Sequence, residues 1–323
     1  DWSSDVCSSD LIILIVVNLG EWKRIRVVGK LWIFFACVIS APVLFGLERA
    51  NTIFWALLFL GLYLNASNSW LKAIFFGLLV NIKPYFGILL LQYLNINNPD
   101  KIQFIKSIFT SLLIFIALGL LAKLDIIRFL ESYLLFSKKG AISAEGIIAI
   151  PHSLMALSFI KNFISNSNGH SYTFWFSLLK IIGYLSVFIL ILLTILKPLS
   201  KLEVLISSFV IITNFSISTG GYILIIYILL IPYLLNSEEY RKIVLPIVVI
   251  YALPMDWIRI ARVTVNENIS YLGGNIILED ISMWIGLGSV VRPLMNFAII
   301  IFLIAHFLNK YPMNTRWTRK IVH

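Results

Sequence analysis

The chain has 323 residues, of which 59% are hydrophobic and 13% charged, with a formal net charge of +10. Soluble domains run at about 45–50% apolar and about 25% charged residues. This composition, with a mean hydropathy of +0.92, therefore excludes an ordinary soluble globular domain. Apolar runs near the ~20 residues that span a bilayer recur along nearly the whole chain, and the alternation of barrel strands is missing. The expected fold is all-α: a polytopic transmembrane bundle of about ten to eleven spans or half-spans.

The first segment does not fit that pattern. Asp1–Leu11 reads DWSSDVCSSDL, polar, acidic and Ser-rich, before an abrupt switch to IILIVVNLG. It matches the in-frame translation of a common short-read sequencing adapter, so residues 1–11 are set aside as a non-native scar. The chain is then expected to be a fragment that begins inside a longer protein. Removing Asp1, Asp5 and Asp10 from the net charge of +10 leaves +13 for the rest. Cys7 belongs to the scar, and Cys37 alone gives neither a disulfide framework nor metal-ligand spacing.

The Lys/Arg bias orients the remaining elements. Ile12–Leu19 is the end of a truncated span, and Glu21–Lys30, with Lys23, Arg24, Arg26 and Lys30, is cytoplasmic. Leu31–Leu47 goes out and Thr52–Leu64 returns to the cytoplasmic loop Asn65–Lys72. Asn95–Lys106 is a second cytoplasmic loop, so the chain between the two must go out and come back. The run from Ala73 to Leu94 carries no charge except Lys83, which Pro84 and Tyr85 follow. Limbs of about ten to thirteen residues reach roughly 15–20 Å, short of the ~30 Å hydrocarbon core. A single kinked span is the alternative.

Downstream, Ile105–Ala122 goes out and Lys123–Ser171 is a long extracytoplasmic stretch. There, Ile126, Leu130, Tyr133 and Leu134, and again Leu154, Leu157, Ile160 and Phe163, recur at the spacing of helices lying in the interface. Phe174–Leu196 returns, Leu205–Ile217 goes out, and Tyr222–Leu235 comes back to Glu238–Lys242. Ile243–Leu253 goes out, Asp256–Gly288 is a second extracytoplasmic region, and Pro293–Leu308 leads to a basic cytoplasmic tail over 310–323. Residues 12–309 thus form one transmembrane domain, without internal repeat or soluble domain.

Within this frame, Lys83 is the leading candidate. A lysine at bilayer depth is expensive and marks a functional site by default. Proline removes a backbone donor and breaks the helix, and an irregular backbone at that depth survives only inside protein or beside a wet cavity. A fixed cation there suits a phosphate. Arg49 and Asn51 fall on the same outer side, and a guanidinium fork suits phosphate oxygens; Arg49 also has Glu48 beside it as a snorkelling partner.

His152, after Pro151 in the first outer region, is a candidate proton carrier or an exposed loop residue. Tyr222, after Gly220 and Gly221, is a head-group contact or an interfacial cap. Asp256, Arg259, Arg262, Glu279 and Asp280 lie in the last outer stretch, and spacing does not choose among the carboxylates. His170, His306 and His323 are scattered, and no metal site is expected. No nucleotide-binding loop, Walker motif or Ser-His-Asp spacing occurs, so a lipid-linked rather than a nucleotide-linked donor fits an outer-facing site. No cofactor and no nucleic-acid partner are expected.

Pro42, Gly46, Arg49, Ala50 and Asn51, then a returning span and Lys83-Pro84-Tyr85, follow in order. They resemble the integral-membrane GT-C glycosyltransferases, in particular the bacterial group that includes polyprenyl-phosphate-mannose-dependent α-mannosyltransferases. There a P-x-x-x-G-x-x-R-G-N stretch precedes K-x-x-P or K-P-x-P by about this distance. The resemblance is specific over Leu31–Leu94 and loose beyond it, with His152-Ser153-Leu154 and Tyr222 as further points of similarity. Ala50 replaces the usual glycine, and the family's catalytic acid would lie upstream of residue 12.

The resemblance implies inverting transfer of a hexose, mannose in that group, from a polyprenyl-phosphate donor to a glycolipid or glycan acceptor. The site would face outward from the bacterial cytoplasmic membrane among its lipids. Arg49, Asn51, Lys83, Tyr85, His152 and Tyr222 would line the donor site, with the catalytic base not assignable and this fragment expected to be inactive. A lipid-linked oligosaccharide flippase or polymerase, or a secondary transporter, are the alternatives; the transporter predicts paired broken helices, and one break is evident.

Overall fold

The computed structural model describes residues 53–97, 99–121, 172–215, 225–242, 258–265, 268–271, 274–277 and 281–311, with Gly29 and Met255. Arg49, Asn51, His152, Tyr222, the expected span end over 12–19, the expected span over 243–253 and the expected interfacial helices of the first outer region lie outside those residues. Helices dominate what is described. They are α1 (Ile53–Asn65), α2 (Ser69–Ile82), a 3-10 helix (Pro84–Leu90) running into α3 (Leu91–Leu94), α4 (Lys101–Leu121), α5 (Tyr172–Leu196), α6 (Lys201–Phe215), α7 (Ile226–Leu235) and α8 (Gly288–Lys310).

The starts of these helices are written in short polar signals. Asn68 precedes α2 and its side-chain oxygen accepts from the backbone N–H of Trp70 (2.9 Å) and Leu71 (3.2 Å). Asp100 does the same for α4, accepting from Gln103 N–H at 2.8 Å. These bonds satisfy amide donors that a helix start leaves open. The loops they close also bind each other: Ser69 Oγ donates to Gln103 Oε1 (2.6 Å) and Gln103 Nε2 to the Ser69 carbonyl (3.0 Å).

That pairing decides the path of the segment between the loops. Tyr93, at the far end of the segment, meets Tyr63 hydroxyl to hydroxyl at 2.9 Å, and Tyr63 lies in the last turn of α1, just before the loop that starts α2. The chain from Ser69 to Leu94 therefore leaves and returns to the same end of the bundle, with Lys83 at the turn. The outgoing limb is α2; the returning limb is the 3-10 helix and α3. A single kinked span would have placed Tyr93 at the opposite end from Tyr63.

Asn95 then fastens this end to the next helix pair. Its amide donates to the carbonyls of Thr194 (2.6 Å) and Lys197 (2.8 Å), capping α5 from outside that helix. Along the outgoing limb, Asn81 donates across to the Ser111 carbonyl of α4 at 3.0 Å as well as to Gly77 in its own helix at 2.8 Å. Large apolar side chains fill the space between the elements, among them Leu60, Phe76, Phe86, Phe209, Leu230 and Leu303, all essentially inaccessible.

α4 is inverted relative to a helix on the surface of a soluble protein. Its buried positions are Gln103, Ser107, Thr110 and Gly119. Its exposed ones include Ile105, Phe109, Leu112, Leu113, Leu120 and Leu121. By length and composition α4 can cross a membrane, the one helix among the described residues that passes that test. Shorter apolar helices accompany it over Ile53–Asn65, Ser69–Ile82, Pro84–Leu94, Ile181–Leu196 and Leu294–Lys310.

One region corrects the all-α expectation. The second outer stretch, expected to be loop with interfacial helix, holds β1 (Arg259–Val265), β2 (Asn268–Tyr271), β3 (Gly274–Ile277) and β4 (Ile281–Gly286). β1 pairs antiparallel with β4, Arg262 opposite Trp284, and β2 pairs with β3, Tyr271 opposite Gly274. The physical reason is local: RIARVTV and ISMWIG are rich in β-branched and aromatic residues. Leu287 N–H donates to the Ile258 carbonyl at 2.8 Å, which closes the ribbon at the start of α8.

α2 and α4 approach closely at Gly77. A Cβ there would lie 2.7 Å from Ile114 Cδ1 and 3.3 Å from the Ser111 backbone. Gly77→Leu is expected to lower stability by about 1–3 kcal/mol through overpacking. Gly77→Ala should stay within about 1 kcal/mol, because the Ile114 methyl can move and alanine favours the helix. Thermal unfolding of the two variants in detergent checks this; equal midpoints would contradict the close packing.

Candidate functional site

Lys83 sits where α2 stops. Its backbone is extended (φ −142°, ψ 97°). Its N–H still donates to the Leu79 carbonyl at 3.0 Å, and its own carbonyl accepts from Phe86 N–H at 3.1 Å to start the 3-10 helix. Pro84, at the first position of that helix, needs no partner for an N–H it lacks. The break is thus built from Lys83-Pro84, and Phe86, fully buried, anchors it in the core. Lys83 itself is half-buried, as is Tyr85, whose ring packs 5.1 Å from that of Phe86.

The same end of the bundle holds a buried polar group that pattern reading missed. Thr213 of α6, Tyr227 of α7 and Asn296 of α8 converge: Asn296 Nδ2 donates to Thr213 Oγ1 at 3.2 Å, and the Thr213 and Tyr227 hydroxyl oxygens are 3.2 Å apart. One helical turn before Asn296 lies Arg292, only 2% exposed. It is followed by Pro293, so the chain carries a second cation-proline pair, at the opening of α8. α6 packs against both the 3-10 helix that follows Lys83 and the helix that carries Arg292. The signal for Arg292 was available: a lone arginine next to the last apolar run.

The opposite end is organised around a carboxylate. Glu203 has no exposed side-chain surface. Ser200 and Glu203 form a reciprocal cap at the start of α6: Ser200 N–H donates to Glu203 Oε2 at 2.6 Å, and Glu203 N–H donates to Ser200 Oγ at 3.3 Å. The same carboxylate accepts from the hydroxyls of Tyr240 (2.8 Å) and Tyr311 (2.9 Å) and from Lys310 Nζ (3.1 Å). Lys310 also reaches Glu239 at 3.0 Å. The Tyr240 hydroxyl has one proton and gives it to Glu203, so at 2.9 Å His306 Nε2 is the donor to Tyr240.

Burial alone would raise the Glu203 carboxyl. The Ser200 amide and hydroxyl, then Tyr240 and Lys310, outweigh it and hold the pKa down to about 2. Burial, then the Glu203 carboxylate, push the Tyr240 hydroxyl well above its ordinary range. For Lys310, burial acts downward, but Glu239 and Glu203 win and keep its pKa raised. The cluster is ionised, paired and closed, an arrangement that clamps α6, α8 and the 237–242 segment together rather than one poised to react.

Between this clamp and the Ser69–Gln103 loops lies a cavity of about 480 Å³, with Lys72, Asp100 and Lys201 on its walls. Among the described residues, no group of three or more His, Cys, Asp or Glu side chains could hold a metal ion. Of the residues expected to line a donor site, the structure places Lys83 and Tyr85 at one turn, while Arg49, Asn51, His152 and Tyr222 fall outside the described residues. Arg259 and Arg262 lie on β1, and Asp256, Glu279 and Asp280 are outside. Comparison with protein-family models, with curated proteins and with solved structures gave no match.

The clamp has a pH signature. The Glu203 pKa is lower in the fold than the ordinary carboxyl value of 4.5. Its stabilisation is therefore complete above about pH 4.5 and is lost as pH falls toward about 2. Glu203→Gln is expected to remove that part of the acid sensitivity and to lower the unfolding midpoint at neutral pH. Tyr240→Phe, which loses one hydrogen bond to a charged group, should cost about 1.5–3 kcal/mol. Unfolding midpoints of the wild type and Glu203→Gln between pH 2 and 6 test the assignment; parallel acid profiles would refute it.

Proposed function

We propose that this chain belongs to a membrane glycosyltransferase of the GT-C type, which moves a hexose from a polyprenyl-phosphate donor to a glycolipid or glycan acceptor outside the cytoplasmic membrane. The observation that carries the reading is Lys83, held half-buried at a Lys-Pro break where a hairpin of two short apolar limbs turns. Such a cation is suited to an anion that reaches the bundle from the lipid side. A second buried cation, Arg292, lies on α8, which packs against α6 as the 3-10 helix does, and has the fork geometry that phosphate oxygens accept.

Support for a membrane setting comes from α4, which turns its small and polar residues inward and its isoleucines, leucines and phenylalanines outward. Helices in lipid pack through small residues and use polar side chains between helices, as Gly77 and Asn81 do against α4. The remaining apolar helices are then the other spans and half-spans of a polytopic bundle.

In this reading an acceptor hydroxyl loses its proton to a carboxylate base and its oxygen attacks the anomeric carbon. The bond from that carbon to the lipid phosphate breaks, and the phosphate leaves with the electron pair. Lys83 stabilises the charge that develops on the departing phosphate. In this reading the donor-binding step is the one Lys83 performs.

Binding of polyprenyl-phosphate-mannose to the chain in lipid nanodiscs tests the assignment without requiring turnover. Lys83→Ala is expected to weaken binding at least about tenfold, equivalent to 1.4 kcal/mol or more. Lys83→Arg should retain most of it. Where hexose transfer itself is assayed, Lys83→Ala should abolish it while expression stays normal. Unchanged donor affinity in Lys83→Ala would sink the proposal, and intact sugar transfer with blocked lipid translocation would favour a flippase.

A further inference from the structure

The cavity at the clamp end is a second place built for an anion. Its wall is rigid: the Asn95 amide is committed to the Thr194 and Lys197 carbonyls, and Asn97 Nδ2 donates to the Leu199 carbonyl at 3.1 Å. The cationic groups left facing the space are Lys72, from the start of α2, and Lys201, from the start of α6. Lys72 is half-buried and held over the rings of Tyr63 (5.2 Å) and Tyr93 (5.7 Å). Among the described residues, neither ammonium has a carboxylate within ion-pair distance, whereas Lys310 at the neighbouring clamp has two.

Burial, and then the charge of Lys201, disfavour the Lys72 ammonium, and Asp100 offsets only part of this. Two like charges lining one cavity repel each other until an anion lies between them. Lysine binds phosphate as a point charge, and two lysines from different helices match an anion that can be approached from several sides. Asp100 gives one oxygen to Gln103 N–H, leaving its carboxylate with acceptor capacity on the rim. A bare polyanion would be repelled by it; a hydroxyl beside the phosphate would be bound.

We propose that this cavity binds a hydroxyl-bearing phosphate ester, its phosphate between Lys72 and Lys201 and its hydroxyl donating to Asp100. The site lies at the opposite end of the hairpin from Lys83. From Lys72 to Lys83 the helix rises roughly 16 Å, so the cavity is separate from the proposed donor site and does not depend on that reading. The same chemistry is offered by a soluble glycerol or sugar phosphate and by a glycerophospholipid head group.

The two sources are told apart with the protein in phosphatidylcholine nanodiscs, titrated with glycerol 3-phosphate or inorganic phosphate, and in nanodiscs containing phosphatidylglycerol without soluble ligand. Glycerol 3-phosphate is expected to bind more tightly than inorganic phosphate, and Lys72→Gln and Lys201→Gln should each weaken it at least tenfold. Lys201 is exposed, so its replacement leaves the fold intact; Lys201→Arg should bind nearly as the wild type. Asp100→Asn keeps the helix cap and should narrow the preference for glycerol 3-phosphate over inorganic phosphate. Lys83→Ala should leave all of this unchanged. A lysine-dependent rise in melting temperature in phosphatidylglycerol alone would assign the site to a lipid head group. The proposal is overturned if neither source binds, or if binding survives in the double variant of Lys72→Gln and Lys201→Gln.

Discussion

The buried carboxylate of Glu203 is the interaction on which one whole end of the bundle depends. Burying a lone ion is prohibitive unless charge and hydrogen bonds are returned to it. Glu203 receives them from four residues: Ser200 of the cap, Tyr240, Lys310 and Tyr311. These lie on three stretches of chain, so the carboxylate cannot be satisfied until the start of α6, the segment after α7 and the end of α8 are all in place. Removing one partner leaves a buried charge short of donors, which costs more than the lost contact itself. A polar cluster of this kind specifies a unique arrangement where apolar packing alone would tolerate slippage.

The hairpin of α2, the 3-10 helix and α3 obeys a related constraint. A chain that turns inside an apolar environment must satisfy its backbone at the turn. Here the Lys83 N–H closes α2, the Lys83 carbonyl opens the 3-10 helix, and proline occupies the one position where a missing N–H is harmless. Asn81, two residues earlier, ties the limb to α4, and Asn95 ties its return to α5. The break is therefore supported by cross-helix amide bonds on both sides and does not have to rely on its own short limbs for position.

Much of this was legible in the residues. Periodic apolar runs and basic loops placed α1, α4, α5, α6, α7 and α8 to within a few residues, because length and charge are local signals. The turn at Lys83-Pro84 followed from the same counting: two loops of one sign on either side of a run too short to cross twice as full spans. The ribbon over Arg259–Gly286 was missed because hydropathy weighs how apolar a stretch is and not its β-branched content, and RIARVTV scores as a charged loop. Glu203 was missed differently. The S-x-x-E pattern at Ser200–Glu203 announces a helix cap, but Tyr240, His306, Lys310 and Tyr311 are 37 to 108 residues away from it, and nothing local says they meet there. His306 looked solitary for the same reason.

The two ends of the bundle are charged in different ways, and the difference bears on what each can do. At the clamp, every cation within reach of Glu203 or Glu239 is paired, so no field is left over for a ligand. A few residues away, Lys72 and Lys201 face one cavity with no carboxylate in ion-pair contact among the described residues. A fold that surrounds one carboxylate with donors and leaves two neighbouring lysines lining a cavity has separated structural from receptive charge. Away from the clamp, the Thr213–Tyr227–Asn296 hydrogen bonds join α6, α7 and α8 without any charge, and Lys83 stands where α2 stops. There the Lys83 N–H and carbonyl are both bonded within the chain, so the break that carries this cation is fixed by its own backbone.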